Sequence, residues 1–388
     1  MPMRVLHIFL DDDLDAARRG LTSFYPDAAR RGLTALCLAG AADRPDVFTP
    51  VVACLENSPL AGELEEAGVT VLPLSGISTW RPGVWSRLNK ARRIHNFAMV
   101  HTHDLLAARL GAKCRLAWPQ IRWAHTCWTP PAPNRPKSLE KLRPADMLVT
   151  LNQEGLRRLE DAGFEAARLQ VIPSGIDPAH CGQRPSSDQA SNQAGDPDRL
   201  KIAALGPLTT DSGHAILLEP LAQPNTAHPN LPWDLRLAGG GPSFEDILRQ
   251  AGAAGIGERM AFLGPQRPCD VLPQCDMLIA GDLRGENGCE AIKQAWAAGL
   301  PVLCSDLPVH AEMVRHGENG LLAPREDAEA LAGRLSELWS DAALRSRLAR
   351  GGRESLENYT QERMAGAYTR LYEALVSAPG TGQTRQEA

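Results

Sequence analysis

Ala280–Leu300 reads AGDLRGENGCEAIKQAWAAGL and continues into Pro301-Val302. A short apolar run, Met277–Ala280, leads into it. A polar, glycine-bearing turn follows, and Cys289–Ala298 then carries helical period before a second apolar run, Pro301–Ser305. Strand, turn, helix and strand in that order form the unit of a parallel sheet, because parallel neighbours need a crossover connection.

The same rhythm extends in both directions. Upstream, the candidate strands are Arg4–Leu10, Thr34–Ala39, Thr70–Leu74, Met99–Thr102, Arg122–His125, Met147–Leu151 and Leu169–Pro173, with helical stretches such as Leu21–Arg31 and Asn152–Ala162 between them. Gly182–Asp198 (GQRPSSDQASNQAGDPD) is almost free of apolar residues and reads as a linker or long exposed loop. Beyond it the rhythm restarts with Lys201–Leu205, Leu235–Ala238, Met260–Leu263, Met277–Ala280, Pro301–Ser305 and Gly320–Ala323, and helices Ser243–Ala253 and Cys289–Ala298. Ala328–Ser336, Asp341–Tyr359 and Gln361–Ser377 are helical, and Ala378–Ala388 is a frayed tail. The fold class is therefore α/β, with two parallel sheets covered by helices on both faces. Ligands of such sheets bind beyond the carboxyl ends of the strands.

A chain of 388 residues suits two domains, and 43% hydrophobic with 22% charged residues is a soluble globular composition. A net charge of −5 argues against a dedicated nucleic-acid binder. The opening segment passes from Met3–Leu10 straight into Asp11-Asp12-Asp13, too short an apolar core for a signal peptide, so a cytoplasmic location is expected. The nine cysteines are scattered, with no Cys-x-x-Cys pair, and predict neither a disulfide framework nor a zinc site. His101 and His103 with Asp104 have the look of metal ligands, but His-Thr-His directly after an apolar strand is read as a strand end, and no metal is assigned.

Several signals stand in a telling order. Leu235–Ala238 enters Gly239-Gly240-Gly241-Pro242 and a helix, a turn that allows close backbone approach and exposes helix N-terminal amides. It is not a dinucleotide fingerprint, because the third glycine would fall on Phe244. Met260-Ala261-Phe262-Leu263-Gly264 follows, then Glu286 and Gln294 eight residues apart, Ala297-Ala298-Gly299-Leu300-Pro301-Val302, and Glu312-Met313-Val314 with Gly317–Gly320. The first half adds Val100-His101-Thr102-His103, a strand ending in His125, Ala145-Asp146, and Val171-Ile172-Pro173-Ser174-Gly175-Ile176-Asp177. This series resembles the group 1 glycosyltransferases (the family 4 kind) of GT-B fold, and the resemblance covers nearly the whole chain.

The resemblance implies two Rossmann-like domains facing across a cleft, with a C-terminal helix crossing back to the first. It divides the chain into an acceptor domain at 1–181, a linker at 182–198, a nucleotide-sugar domain at 199–360, the returning helix at 361–377 and a tail at 378–388. It implies retaining transfer from a nucleotide-diphosphate sugar with no obligatory metal or other cofactor. The donor-binding positions it marks are Gly206, Ser212, Gly239, Gly240, Gly241, Glu286, Asn287, Gly288 and Gln294. Glu286 would touch the donor sugar, Gln294 would hold the ribose diol, and His125 would face the reaction centre, so His125 and Glu286 are the catalytic candidates. As residues alone, Glu286 also fits a solvated turn and His125 a strand-end histidine held by a hydrogen bond.

The chain departs from the family pattern at four places. The second acid is Gln294, which offers one acceptor and one donor group where a carboxylate is acceptor-only. The diphosphate clamp G-R-L-x-x-x-K-G corresponds to Gly206–Gly213, with Pro207 for Arg and Ser212 for Lys. Charge-assisted hydrogen bonds are worth roughly 1.5–3 kcal/mol each, so two losses weaken the clamp by roughly a hundredfold or more. The first-half glycine loop is replaced by Asp15-Ala16-Ala17-Arg18-Arg19, and the proline-rich acceptor-side stretch after His125 is short. Arg284, Lys293, Arg18 and Arg19 are candidate substitute charges, although on sequence alone each reads first as a solvated surface residue. Trp80–Arg93 (WRPGVWSRLNKARR) is basic and amphipathic, which suits either anionic lipid or a helix covering the sheet.

The expected function is a cytoplasmic glycosyltransferase using a nucleotide-sugar donor and a glycan or lipid-linked acceptor in cell-envelope polysaccharide or glycolipid assembly. Peripheral contact with the inner membrane surface is compatible with it, and nucleic acid is not a partner. The alternative is a degenerate GT-B protein serving as a binding or partner subunit.

Overall fold

A computed structural model describes residues 2–10, 24–43, 47–75, 82–128, 139–179, 199–222, 232–281 and 288–378. The chain forms two compact units. The first takes the opening strand, the chain from Tyr25 to Gly175 and the last helix; the second runs from Ile176 to Thr360.

The first unit is built on a seven-stranded parallel sheet of order β3-β2-β1-β4-β5-β6-β7. Its strands are β1 Met3–Ile8, β2 Phe48–Leu55, β3 Thr70–Leu74, β4 Met99–Thr102, β5 Arg122–Cys127, β6 Met147–Thr150 and β7 Leu169–Val171. Successive side chains of a strand alternate between faces. Leu6, Ile8 and Leu10 therefore join one core with Val84, Leu88 and Ala91 of helix Pro82–His95. Val5 and Phe9 join the other, with Met364, Tyr368, Leu371 and Tyr372 of the last helix, Gln361–Ser377. That helix is the C-terminal crossover back to the first domain.

The second unit has six parallel strands in the order β10-β9-β8-β11-β12-β13. They are β8 Leu200–Leu205, β9 Trp233–Ala238, β10 Met260–Gly264, β11 Met277–Ala280, β12 Val302–Ser305 and β13 Leu321–Ala323. The strand order reverses between β1 and β4 in the first sheet and between β8 and β11 in the second. Loops leaving those paired strands diverge to opposite sides, and the opening between them is where such sheets bind ligands.

Two sequence expectations fail. Thr34–Ala39 is not a strand: helix Phe24–Leu38 runs through it, with Leu33, Leu36 and Cys37 buried at helical spacing. A short apolar run fits either element, and this one continues the period of the helix before it. The strand that the expectation displaced is β2, whose Pro50 argues against a central strand. Pro50 precedes the first β3 partner, since that pairing begins at Val51↔Thr70, so the proline falls outside the doubly paired part. Among the cysteines, Cys37, Cys54, Cys114, Cys127, Cys275, Cys289 and Cys304 are free, whereas Cys269 is disulfide-bonded, against the expectation that none would pair.

Candidate active site

At the second-domain switch point, the turn after β8 is held by the turn after β9. Gly206 N–H donates to Ala238 and Leu208 N–H to Gly240, while Ser243 N–H returns a bond to Leu208. A Cβ on Gly239 would collide with the Gly206 carbonyl, and one on Gly241 with the backbone of Leu208. These glycines therefore serve the close packing of two protein turns. Ser212 is buried, and its hydroxyl donates to the Thr209 carbonyl at 2.7 Å while accepting from Thr209 N–H at 3.3 Å. Its one proton is thus engaged within its own turn.

Helix Gly288–Ala298 starts beyond β11. Glu286 and Asn287, like Arg284, Arg18, Arg19 and the Asp15–Ala17 segment, lie outside the described residues, and Gly288 is the first residue of the helix. Gln294 is 5% exposed. Its Nε2 donates to Glu290 Oε1 at 3.5 Å, and Lys293 Nζ pairs with Glu290 Oε2 at 2.8 Å. Lys293 is 3% exposed, so it is a buried ion-pair partner and not a solvated residue. Gln294 Oε1 is buried with no hydrogen-bond partner among the described residues. Glu290 was not singled out from the sequence, although its spacing of four from Gln294 places both on one helix face.

In the first unit, strand parity sorts the histidines. Thr102, Trp123 and His125 share the face of helix Leu105–Ala117: His125 Nδ1 lies 2.8 Å from Thr102 Oγ1, which also accepts from Trp123 Nε1 at 2.9 Å. Burial brings the His125 pKa down to about 3, so the ring is neutral. His7, His101, His103 and Thr126 occupy the opposite face, under the last helix. His101 Nδ1 meets Tyr372 Oη at 2.6 Å, its Nε2 meets Thr126 Oγ1 at 2.8 Å, and Thr126 meets Tyr368 Oη at 2.9 Å. Trp128 Nε1–H donates to His103 Nδ1 at 3.4 Å. His103 therefore carries its proton on Nε2 and donates to His7 Nδ1, 3.1 Å away. Burial brings His7 down to about 3 and holds His101 and His103 well below the usual range.

The ring nitrogens of His7, His101 and His103 lie within 4.8 Å of one another, so the trio that could in principle hold a metal includes His7 and leaves out Asp104. Asp104 instead caps helix Leu105–Ala117, accepting from Ala107 N–H and Leu10 N–H, both at 2.7 Å. The aromatic partners on the last helix are legible in the sequence only once that helix is known to return.

Two sheets of this topology, each with its own switch point, define a two-domain GT-B architecture. Residues 33–180 match the model of Glycosyltransferase Family 4 and residues 187–355 that of Glycosyl transferases group 1. The chain belongs to the group 1 glycosyltransferases. It is 25% identical over 379 residues to the D-inositol 3-phosphate glycosyltransferase of Corynebacterium urealyticum, covering 87% of this chain and 88% of that one. It is 31% identical over 235 residues to an exopolysaccharide phosphotransferase of Streptomyces coelicolor, a match to 60% of this chain that spans only 24% of that relative's length. The fold is similar to that of Anabaena HepE, solved in complex with UDP and glucose, with a TM-score of 0.77, 16% identity, and 96% of this chain and 100% of that one covered.

Two outcomes follow from the buried titratable groups. Lys293→Met removes one member of the buried Lys293–Glu290 pair and should lower unfolding stability by roughly 3–5 kcal/mol, with much of the loss recovered in Lys293→Met/Glu290→Leu; chemical denaturation of the three proteins checks this. The histidines have folded pKa values below the unfolded value of about 6.5, so their neutral burial is fully stabilising above that pH. As pH falls below 6.5 the unfolded chain takes up protons that the folded one refuses. Each of His7 and His125 should then cost about 1.4 kcal/mol per pH unit until the folded pKa near 3 is reached. Denaturation midpoints between pH 7.5 and 5 should drop accordingly, with a shallower slope in His125→Asn.

Proposed function

We propose that the protein transfers a sugar, with retention of anomeric configuration, from a nucleotide-diphosphate sugar to a glycan or lipid-linked acceptor in cell-envelope polysaccharide or glycolipid assembly. The observation that carries this reading is Gln294 on the helix that follows β11: a buried acceptor oxygen with no donor among the described residues is suited to a ligand hydroxyl. Support comes from the glycosyltransferase relatives and from HepE, whose crystals hold UDP and glucose.

In this reading Gly206 and Gly239–Gly241 shape the donor pocket, and the Gly288 end of its helix offers backbone amides to the diphosphate. Glu286, with Asn287 beside it, touches the donor sugar, and Gln294 accepts from the ribose. Ser212 acts through the turn it closes, since its hydroxyl proton is already engaged. The bond between the anomeric carbon and the diphosphate oxygen breaks, and the acceptor oxygen arriving on the same face bonds to that carbon. Its proton passes to the departing diphosphate, which leaves as the nucleoside diphosphate. His125 is a neutral hydrogen-bonding group at the reaction centre, and no metal is obligatory.

The partner-subunit reading keeps one specific observation in its favour: neither Pro207 nor the engaged Ser212 gives the diphosphate a cation. Titration with UDP and GDP, followed by hydrolysis assays on UDP-glucose and GDP-mannose, separates the two readings. Submillimolar binding and slow hydrolysis are expected for an enzyme, with Gln294→Ala weakening binding about tenfold. Millimolar or absent binding of both nucleotides would leave the partner subunit.

The same reading includes peripheral contact with the cytoplasmic face of the inner membrane. Helices Pro82–His95 and Leu105–Ala117 carry Arg87, Lys90, Arg92, Arg93, Arg109, Lys113 and Arg115 and no acid. Trp85 stacks on Trp118, with Lys113 over Trp85 and Arg92 over Trp118, and Ile94 and Leu116 are exposed at 60% and 84%. No helix among the described residues is long and apolar enough to cross a membrane. Vesicles containing phosphatidylglycerol should bind the protein in a salt-sensitive way, and neutral phosphatidylcholine vesicles should not. Each basic residue near such a surface contributes about 1 kcal/mol, so Arg92→Ala/Arg93→Ala should weaken cosedimentation roughly tenfold or more.

A further inference from the structure

Gln294 differs from the acid it replaces in having two unlike ends. A carboxylate presents an acceptor whichever way it turns, whereas a carboxamide presents either oxygen or NH2. The neighbour decides which. Glu290 Oε1 can only accept, so the group facing it across 3.5 Å is the NH2 of Gln294. Its other oxygen is held by Lys293 at 2.8 Å, which keeps the carboxylate in place. The amide oxygen is thereby turned away from Glu290, and it is the atom left buried without a partner among the described residues. Buried acceptors are nearly always hydrogen-bonded, so a lone one on the helix that leaves β11 is open to a ligand donor.

We infer that Glu290, balanced by Lys293, is a positioning residue that fixes the Gln294 carboxamide with Oε1 turned away from Glu290, so that Gln294 accepts from a ribose hydroxyl of the nucleotide. This rests on the donor-site reading given above. The three residues together, with one negative, one positive and one neutral side chain, perform an acceptor's task with no net charge. The site consequently selects ribonucleotides over deoxyribonucleotides, and the selectivity depends on a residue that need not touch the ligand.

Calorimetric titration of the full chain with UDP, 2′-deoxy-UDP and 3′-deoxy-UDP tests this, repeated with GDP and its deoxy forms. Wild type should prefer at least one ribonucleotide about tenfold over a deoxy counterpart. Glu290→Gln, whose amide can either donate or accept, should lower that preference to about twofold with circular dichroism unchanged. The exchange Glu290→Gln/Gln294→Glu should restore it. The amide introduced at position 290 then donates to the carboxylate introduced at position 294, and an acceptor oxygen is again turned away from position 290. A purely structural role for Glu290 would not be rescued by the exchange. Undiminished preference in Glu290→Gln overturns the inference, as does loss of preference in both proteins. Should Glu290→Gln fail to fold, the exchange protein decides alone: wild-type preference supports the inference and its absence overturns it. Failure of wild type to bind either UDP or GDP counts against the donor-site reading itself, a separate result from the loss of selectivity in a variant.

Discussion

The second domain depends on the contact between the turn after β8 and the turn after β9. Gly239 and Gly241 bring their backbone against Gly206 and Leu208, where a Cβ would collide with carbonyl groups. Two hydrogen bonds, from Gly206 N–H to Ala238 and from Leu208 N–H to Gly240, close the contact. It lies at the carboxyl end of β8, the strand that borders the switch point. A larger residue at Gly239 would displace the turn that carries Pro207 and Leu208, and with it one wall of the opening. Glycines that look like ligand-approach residues in the sequence are here required first by protein packing.

In the first domain the corresponding constraint is the period of two along β1, β4 and β5. It sends His7, His101, His103 and Thr126 to one face and Thr102, Trp123 and His125 to the other. Each face then needs polar partners from the element covering it. The last helix supplies Tyr368 and Tyr372 to the first group, so its attachment is hydrogen-bonded as well as apolar. Burial raises the pKa of both phenols and lowers those of the histidines, which keeps every member neutral. A neutral network of this kind is stable only while each donor meets an acceptor. His7 Nε2, which has no partner among the described residues, is the point at which it falls short.

Much of the fold was legible because parallel strands are short, apolar and separated by turn residues. The bounds expected for Thr70–Leu74, Met99–Thr102 and Met277–Ala280 coincide with β3, β4 and β11. Thr34–Ala39 was misread because five or six apolar residues carry no period of their own, and β2 was missed because Pro50 hides where its pairing begins. The site was less legible. Family resemblance marks positions, but the pairing of Glu290 with Lys293 and the engagement of the Ser212 hydroxyl depend on which way side chains turn. Nothing in the spelling of GENGCEAIKQ says that Lys293 is buried; it follows from three residues sharing a helix face at the end of a strand.

The substitutions in the donor region become coherent when their charges are considered together. The family pattern sets two cations, at positions 207 and 212, against a diphosphate, with an acid at position 294 nearby. Here the cations are gone, and so is that acid. Repulsion between a carboxylate and a diphosphate grows in a low-dielectric site, so an anion at 294 without the clamp would oppose donor binding. Gln294 removes that opposition while keeping an acceptor oxygen. Glu290 would reintroduce a negative charge one helical turn away, but Lys293 is paired with it at 2.8 Å. In the proposed donor site the loss of the clamp and the loss of the acid would thus offset each other in part, leaving backbone amides, among the described residues, to attract phosphate. A site of this kind would hold a nucleotide sugar more weakly than a clamped one, and it would depend more on the hydroxyl contact proposed for Gln294.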